Sequence, residues 1–381
     1  MSRRITAIML SAALLLLAWT TPATASQTPK MMAYVNQNSQ SFIPVGLLKE
    51  IEGVKVNYQA AEKKIEVTRE GTKLTFFLGQ KTALINGSKT QIPAAPFIEG
   101  SSAYVPLQPI SRYLGMRLSW DKSSSSLAIT SQGETKVLPV LSGSFINAGA
   151  KPVVHSKKTF RVGSRSFNTQ VVTVSLLHPK IKLDVALAHN KVGAVEDLRS
   201  IAKRSGALAA INGTYFDAYT TGAFKAPYGY IASGGSILKT APGDNRSIFI
   251  YDRNNLATIV PGLTFKDRFE EGRIEGAIQA GPRLLTDGKI SLDVRNEGFK
   301  DPKILSGGGA RSAIGITKDH KLILLTTSGA TIPQLAEIMK QAGAYQAMNL
   351  DGGASSGLYY NGSYLTTPGR QISNAILIQS K

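Results

Sequence analysis

The sequence predicts an α+β chain in two parts: a small repeated α+β stalk domain whose halves each contain a ββ pair, then a larger mixed-sheet α+β domain. Three observations carry this. A segment repeats at an offset of 62 residues, without a gap, between 42–71 and 104–133. After it, short apolar runs alternate with glycine-rich turns, as strands do. Only two stretches of that second part show helical periodicity.

The chain has 381 residues, room for two domains. It opens with Arg3 and Arg4, an apolar run from Ile5 to Trp19 and the small-residue site Ala23-Thr24-Ala25. That order is a secretory signal peptide over 1–25, cleaved after Ala25, because the run is shorter than the roughly 20 residues a membrane span needs. No later stretch is apolar enough to span, so an exported protein without an integral membrane segment is expected. Localisation follows as secreted, extracellular or cell-wall associated.

The repeat defines a stalk over 31–132. Pro44 matches Pro106, Gly53 matches Gly115, Tyr58 matches Trp120, Val67 matches Ile129 and Gly71 matches Gly133. Each copy reads as a strand ending in proline, a helix, a glycine and two alternating strands. Residues 133–165 mix Gly, Ser, Lys and Pro, and read as a linker with a first strand. The second domain runs over 166–381. Its strand-like runs are Gln170–Leu177, Ile181–Ala188, Ile248–Tyr251, Ala313–Ile316, Leu322–Thr326 and Ala375–Ile378. Helices are expected at Ala194–Ser205 and Ile332–Ala342, the second with Thr331 as N-cap, Pro333 in its first turn and Gly343 as its stop.

Composition narrows the chemistry. There is no cysteine, which excludes thiol catalysis, thiolate metal sites and disulfides. The four histidines are scattered without metal-ligand spacing, so no histidine metal site and no cofactor is expected, an oxygen-ligated cation staying open. Losing the signal removes two arginines and no acid, which takes the charge from +19 to +17. The basic residues are spread rather than blocked. A solvated basic surface accounts for that, and so does attraction to an anionic wall polymer or sugar phosphate. Nucleic acid is not expected as a partner of an exported chain with no binding motif.

The motif Gly353-Ala354-Ser355-Ser356-Gly357 matches the G-x-S-x-G of a serine-hydrolase elbow. An elbow needs a helix after its serine. Here two strand-like pieces follow, around an Asn361-Gly362 turn. It also needs an acid and a histidine downstream, and the chain has none after Ser355. Asp351, the acid just before the turn, then reads either as the chemical group or as a turn-capping residue.

Four stretches then stand out: "AAINGTYFD" (209–217), "QAGPRLLTDGK" (279–289), "GGGARSAIGIT" (307–317) and "AMNLDGGASSGLYYNG" with the following "TPGRQISNAIL". Together they resemble the phosphodiester glycosidase family, whose pattern pairs an N-G strand end, a G-P-x-L-x-x-D-G segment, an R-S-A-I-G strand, an N-L-D-G-G-x-S-S turn and a late R-x-x-x-N. Thr214 and Gly357-Leu358 depart from it. The stalk resembles the copper amine oxidase N-terminal-like family, without histidines before His155 to hold copper. The resemblance implies hydrolysis of a sugar-1-phosphodiester from cell-wall or exopolysaccharide material. A phosphate leaving group is a weak base and needs little protonation, so the site must supply a carboxylate at the sugar and cations at the phosphate. Asp351 is expected as base or nucleophile, with Asn212 and Arg311 beside it in the catalytic set. Arg311, Arg370 and Arg283 are the phosphate candidates. Gly352, Gly353, Ser355 and Ser356 would form an anion-holding turn. Asn212, Tyr215 and Asn374 would hold sugar hydroxyls, and Asp217 is the candidate second carboxylate. The competing reading is a non-catalytic wall-binding protein on the same scaffold.

Overall fold

The computed structural model describes residues 30–380. The expected signal peptide lies outside the described residues.

The stalk carries its 62-residue offset element by element. Strand Lys55–Gln59 recurs as Arg117–Asp121, and Lys64–Arg69 as Ser126–Ser131. The two copies meet at strands Ser41–Pro44 and Ser102–Pro106, where Ile43 pairs with its own equivalent Val105. A pseudo-twofold axis therefore passes through that pair, as in the self-complementary contact of a dimer. Two further equivalents touch: Arg69 Nη1 donates to Ser131 Oγ at 2.6 Å, and Gln132 Nε2 to Glu70 Oε1 at 2.7 Å. Alternating inward residues of both halves, among them Ile65, Val67, Leu127 and Ile129, form one apolar core.

The stalk reaches further than the repeat alone suggests. Glu134–Ser142, expected within the linker, is a strand that pairs antiparallel with Ser126–Ser131 and parallel with Ala33–Val35. It is the second copy's counterpart of Thr72–Phe77, which pairs with Lys64–Arg69 in the same way. Between Glu134–Ser142 and the next strand, residues 143–152 carry no regular structure. The strand Val153–Val162 that follows pairs along its whole length with Arg165–Ser175 of the second domain.

The second domain is α+β and dominated by strands. In place of one large mixed sheet its strands divide among three, of seven, five and five strands. Every strand pairing given for them is antiparallel, because most consecutive strands are joined by turns too short for a crossover. The seven-stranded sheet is central. One face carries the helix Ile332–Gln341 through Leu335, Ile338 and Met339. The other packs on the five-stranded sheets through Leu322, Leu324, Phe249, Ile278 and Ile376. The helix has the expected cap, in the form of a capping box between Thr331 and Gln334. The other expected helix is shorter, Leu198–Arg204, because Glu196 leaves helical geometry to bridge Ile372.

The two domains are docked by specific polar contacts. His320 Nε2 faces Ser125 O at 3.1 Å and Val140 O at 3.2 Å. Carbonyls only accept, so this nitrogen carries the proton. Gln346 Nε2 donates to Ser123 O at 2.8 Å, while its Oε1 accepts from Ile259 N–H and Thr258 Oγ1. One buried amide thus ties the stalk to two sheets of the second domain. Among the described residues no helix is long and apolar enough to cross a membrane.

Candidate active site

The site is built where three strand ends converge. Strand Ala209–Asn212 ends in Asn212-Gly213, strand Gln346–Asn349 ends before Asp351, and strand Asn374–Ser380 begins at Asn374. The first and third are neighbours in one sheet, with Asn212 opposite Ala375. The second lies in the central sheet, packed against them. Short apolar strands therefore bring four of the five sequence motifs to one edge.

Asn212 is the fastener. Its Nδ2 donates to Asp351 O at 2.7 Å, and its Oδ1 accepts from Ser312 Oγ at 2.7 Å and Gly357 N–H at 3.0 Å. The residue is 1% exposed. Its side chain is consumed in holding both ends of the 351–357 turn, so it is not offered to a sugar hydroxyl. Asn374 likewise accepts from Thr214 N–H at 2.9 Å and donates to Ser373 Oγ at 2.7 Å, again fully buried. Gly213 is required beside it, since a Cβ there would lie 2.0 Å from Asn374 Oδ1. The two asparagines are scaffold, corrected from sugar ligands, because a buried amide must spend its donors and acceptor internally.

Asp351 sits on this scaffold, half-buried, with its carboxylate accepting from Ser355 Oγ and Gly352 N–H. Loss of surrounding water pushes its carboxyl up to about 7, against the pull of Ser355, Gly352 and the nearby Arg370 charge. The Ser355 and Ser356 amides close a 3₁₀ turn onto Gly352 O and Gly353 O. Ser355 is 2% exposed and Ser356 3%, and Ser356 Oγ is buried without a partner. Their hydroxyls therefore face inward, toward Asp351 in the case of Ser355, rather than toward an incoming anion. Gly353 and Ala354 are exposed at the start of the turn, where helical N–H groups lack partners of their own turn.

The three arginines separate. Arg370 is half-exposed, close enough to Asp351 to act on its charge, and donates from Nη2 to Tyr219 Oη at 2.8 Å. Arg311 is 3% exposed and spends Nε on Ala330 O and Nη2 on Lys303 O and Gly307 O. Its remaining nitrogen approaches the turn, 3.6 Å from where a Gly352 Cβ would stand. Arg311 is thus chiefly the anchor of the 303–307 segment. Arg283 belongs elsewhere: Nη2 donates to Ile259 O at 2.7 Å, and the side chain lines a cavity of about 760 Å³ between the stalk and the second domain. Its expected phosphate role is corrected on that ground, since its guanidinium is spent on Ile259 O and Ser247 Oγ and lines a cavity that Asp351 does not. Tyr215 lies beneath the site, donating to Gly281 O at 2.8 Å and accepting from Asn349 Nδ2 at 2.7 Å. Burial, reinforced by the Asp351 charge, pushes its phenol well up.

Sequence reasoning missed Tyr219. It sits on a strap, residues 213–230, that leaves strand Ala209–Asn212 and folds back on itself. Asp217 N–H donates to Ala226 O at 2.9 Å and Tyr228 N–H to Tyr215 O at 2.8 Å. Thr214 Oγ1 donates to Tyr228 O, which gives the departing threonine a use at the strap's base. Asp217 accepts from Thr220 N–H within the strap. The signal was present as a run of aromatics and glycines, "YFDAYTTGAFKAPYGY", with no core-facing period. Among the described residues no group of three or more His, Asp or Glu side chains is gathered as a metal would need.

An antiparallel three-sheet scaffold thus presents one raised carboxyl beside a half-exposed arginine. Two family models match the chain. Residues 205–379 match the model described as phosphodiester glycosidase, and residues 24–129 match the copper amine oxidase N-terminal domain. The chain carries a domain of each family. The catalytic domain of zebrafish N-acetylglucosamine-1-phosphodiester alpha-N-acetylglucosaminidase, auto-inhibited by its pro-peptide, shares the fold with TM-score 0.53 and 22% identity, over 62% of this chain and 86% of that one. A hypothetical protein from Synechocystis does so with TM-score 0.54 and 14% identity, over 93% of this chain and all of that one. No curated protein sequence matches the chain.

Proposed function

We propose that the second domain hydrolyses the bond between a sugar and the phosphate of a sugar-1-phosphodiester, releasing free sugar and a phosphomonoester. The observation that carries this is Asp351: a half-buried carboxyl raised to about 7, on the turn that the family model spans, with a cation beside it. In its ionised form Asp351 takes a proton from water as the oxygen adds to the anomeric carbon. The carbon–oxygen bond to phosphate breaks, and the phosphate leaves with the bond's electron pair. Arg370 and the amides at the start of the turn receive that charge. The weak basicity of phosphate makes a strong general acid unnecessary, which fits a site where one carboxyl stands out. The substrate we propose is an extracellular anionic sugar-phosphate polymer, suggested by the signal-like first 25 residues and the basic charge.

Purified protein incubated with methyl diesters of sugar-1-phosphates should release reducing sugar. Asp351→Asn should lower kcat/KM by about 10³-fold, the range of a lost acid–base group. Wall binding with no turnover on any sugar phosphodiester would favour the non-catalytic reading instead.

A further inference from the structure

Tyr219 is 79% exposed, an unusual place for a large aromatic side chain on an ordered strap. Two contacts hold it there. Its hydroxyl accepts from Arg370 Nη2 at 2.8 Å, and the same guanidinium lies 4.7 Å from its ring centroid. The strap tip is clamped at a second point: Lys225 N–H donates to Gly193 O at 2.8 Å, and the Phe224 ring covers Gly193 so closely that a Cβ there would lie 2.2 Å from it. No carboxylate is within ion-pair distance of Arg370 among the described residues. A free arginine of this length samples many rotamers, and each must be surrendered when it binds an anion.

We propose that Tyr219 is a positioning residue for the phosphodiester glycosidase site: it holds the Arg370 guanidinium over the Asp351 turn in the orientation that receives the phosphate. The inference rests on the functional reading above and adds to it the residue that sets affinity for the anionic half of the substrate. A tyrosine suits this role better than a carboxylate. It orients the guanidinium by one neutral acceptor and a π face without cancelling its charge, and leaves the other nitrogens for the phosphate oxygens. The arrangement also links the strap to the substrate: the strap carries Tyr219, Tyr219 carries Arg370, and Arg370 carries the phosphate.

The test is a double-mutant cycle in the full-length mature chain, read by calorimetric binding of a sugar-1-phosphate and by KM and kcat on its methyl diester. Tyr219→Phe keeps the ring and removes the hydroxyl. It should weaken sugar-1-phosphate binding about five-fold and raise KM more than it lowers kcat. Tyr219→Ala, which removes the ring as well, should weaken binding further. Arg370→Ala should weaken it at least as much, and adding Tyr219→Phe to Arg370→Ala should cost nothing more, because the hydroxyl then has nothing to orient. Additive losses, or a Tyr219→Phe variant that binds as the wild type does, would overturn the role of Tyr219 while leaving the enzymatic reading intact. A wild type that binds sugar-1-phosphate and never turns over would overturn the enzymatic reading while the cycle still decides on Tyr219.

Discussion

In the proposed function Asp351 supplies the chemistry and Asn212 the support. The Asp351 carboxyl has an ordinary value of 3.8 and stands at about 7 in the fold. Between those values the folded chain keeps a proton that the unfolded chain releases. Stability tied to this group is therefore present in acid and lost as pH rises through about 7. In the proposed mechanism the ionised form is the working form, so kcat/KM should climb with pH and level off above about 7. The same residue should cost stability where it works best. Asp351→Asn should raise stability by about 1 kcal/mol at pH 8, after allowance for partial solvent screening, and have little effect at pH 4. Thermal denaturation at the two pH values checks this; a variant less stable at pH 8 would mean that the carboxylate's hydrogen bonds outweigh its desolvation. Asn212 should behave in the opposite way. Asn212→Ala strands Asp351 O, Gly357 N–H and Ser312 Oγ in a buried setting, and should cost about 2–4 kcal/mol together with most activity. Denaturant titration reads the first and turnover the second.

At the level of elements, the strands were readable wherever they were long, apolar and buried. Ile181–Leu187, Ile248–Asp252 and Asn374–Ser380 all contain runs visible in the sequence. Ser236–Lys239 and Ala257–Val260 were not, because each is four residues long and gives period two little to show. The helix Ile332–Gln341 was legible down to its cap, since Thr331 and Gln334 are local neighbours whose bonding does not depend on the rest of the chain. The helix Leu198–Arg204 was overestimated because the Glu196 backbone is claimed by a distant partner: its N–H donates to Ile372 O at 2.9 Å, and its O accepts from Ile372 N–H at 3.0 Å. The strap at 213–230 escaped notice for the complementary reason. The hydrogen bonds that close it, Asp217 to Ala226, Tyr228 to Tyr215 and Thr214 to Tyr228, span nine to fourteen residues and leave no period.

The whole molecule depends on how the stalk meets the second domain. His320 is 2% exposed at that junction, and burial holds its imidazole below the ordinary value of 6.5, against the help of the Val140 and Ser125 carbonyls. It docks in its neutral form. Its contribution is present above pH 6.5 and is lost as pH falls, because the unfolded chain then takes up the proton first. His320→Ala should uncouple the domains, so that calorimetry shows two transitions where the wild type gives one. A single unchanged transition would show that Gln346 and the Ser123 contacts suffice.

By itself the sequence determined the two-part plan and the α+β class, and it argued for Asp351 over Ser355. These follow from local or countable features: a fixed offset, alternation along strands, and the absence of any acid or histidine after the serine. The tertiary structure decided which polar residues are free to act. Asn212, Asn374 and Arg311 look in sequence like ligands and are largely consumed in the fold, while Arg283 faces the stalk. Arg370 keeps its charge at the opening, with Tyr219 holding it there. The physical reason is that a buried polar group must find a partner, and that partner lies on another strand, at a sequence distance no motif can encode.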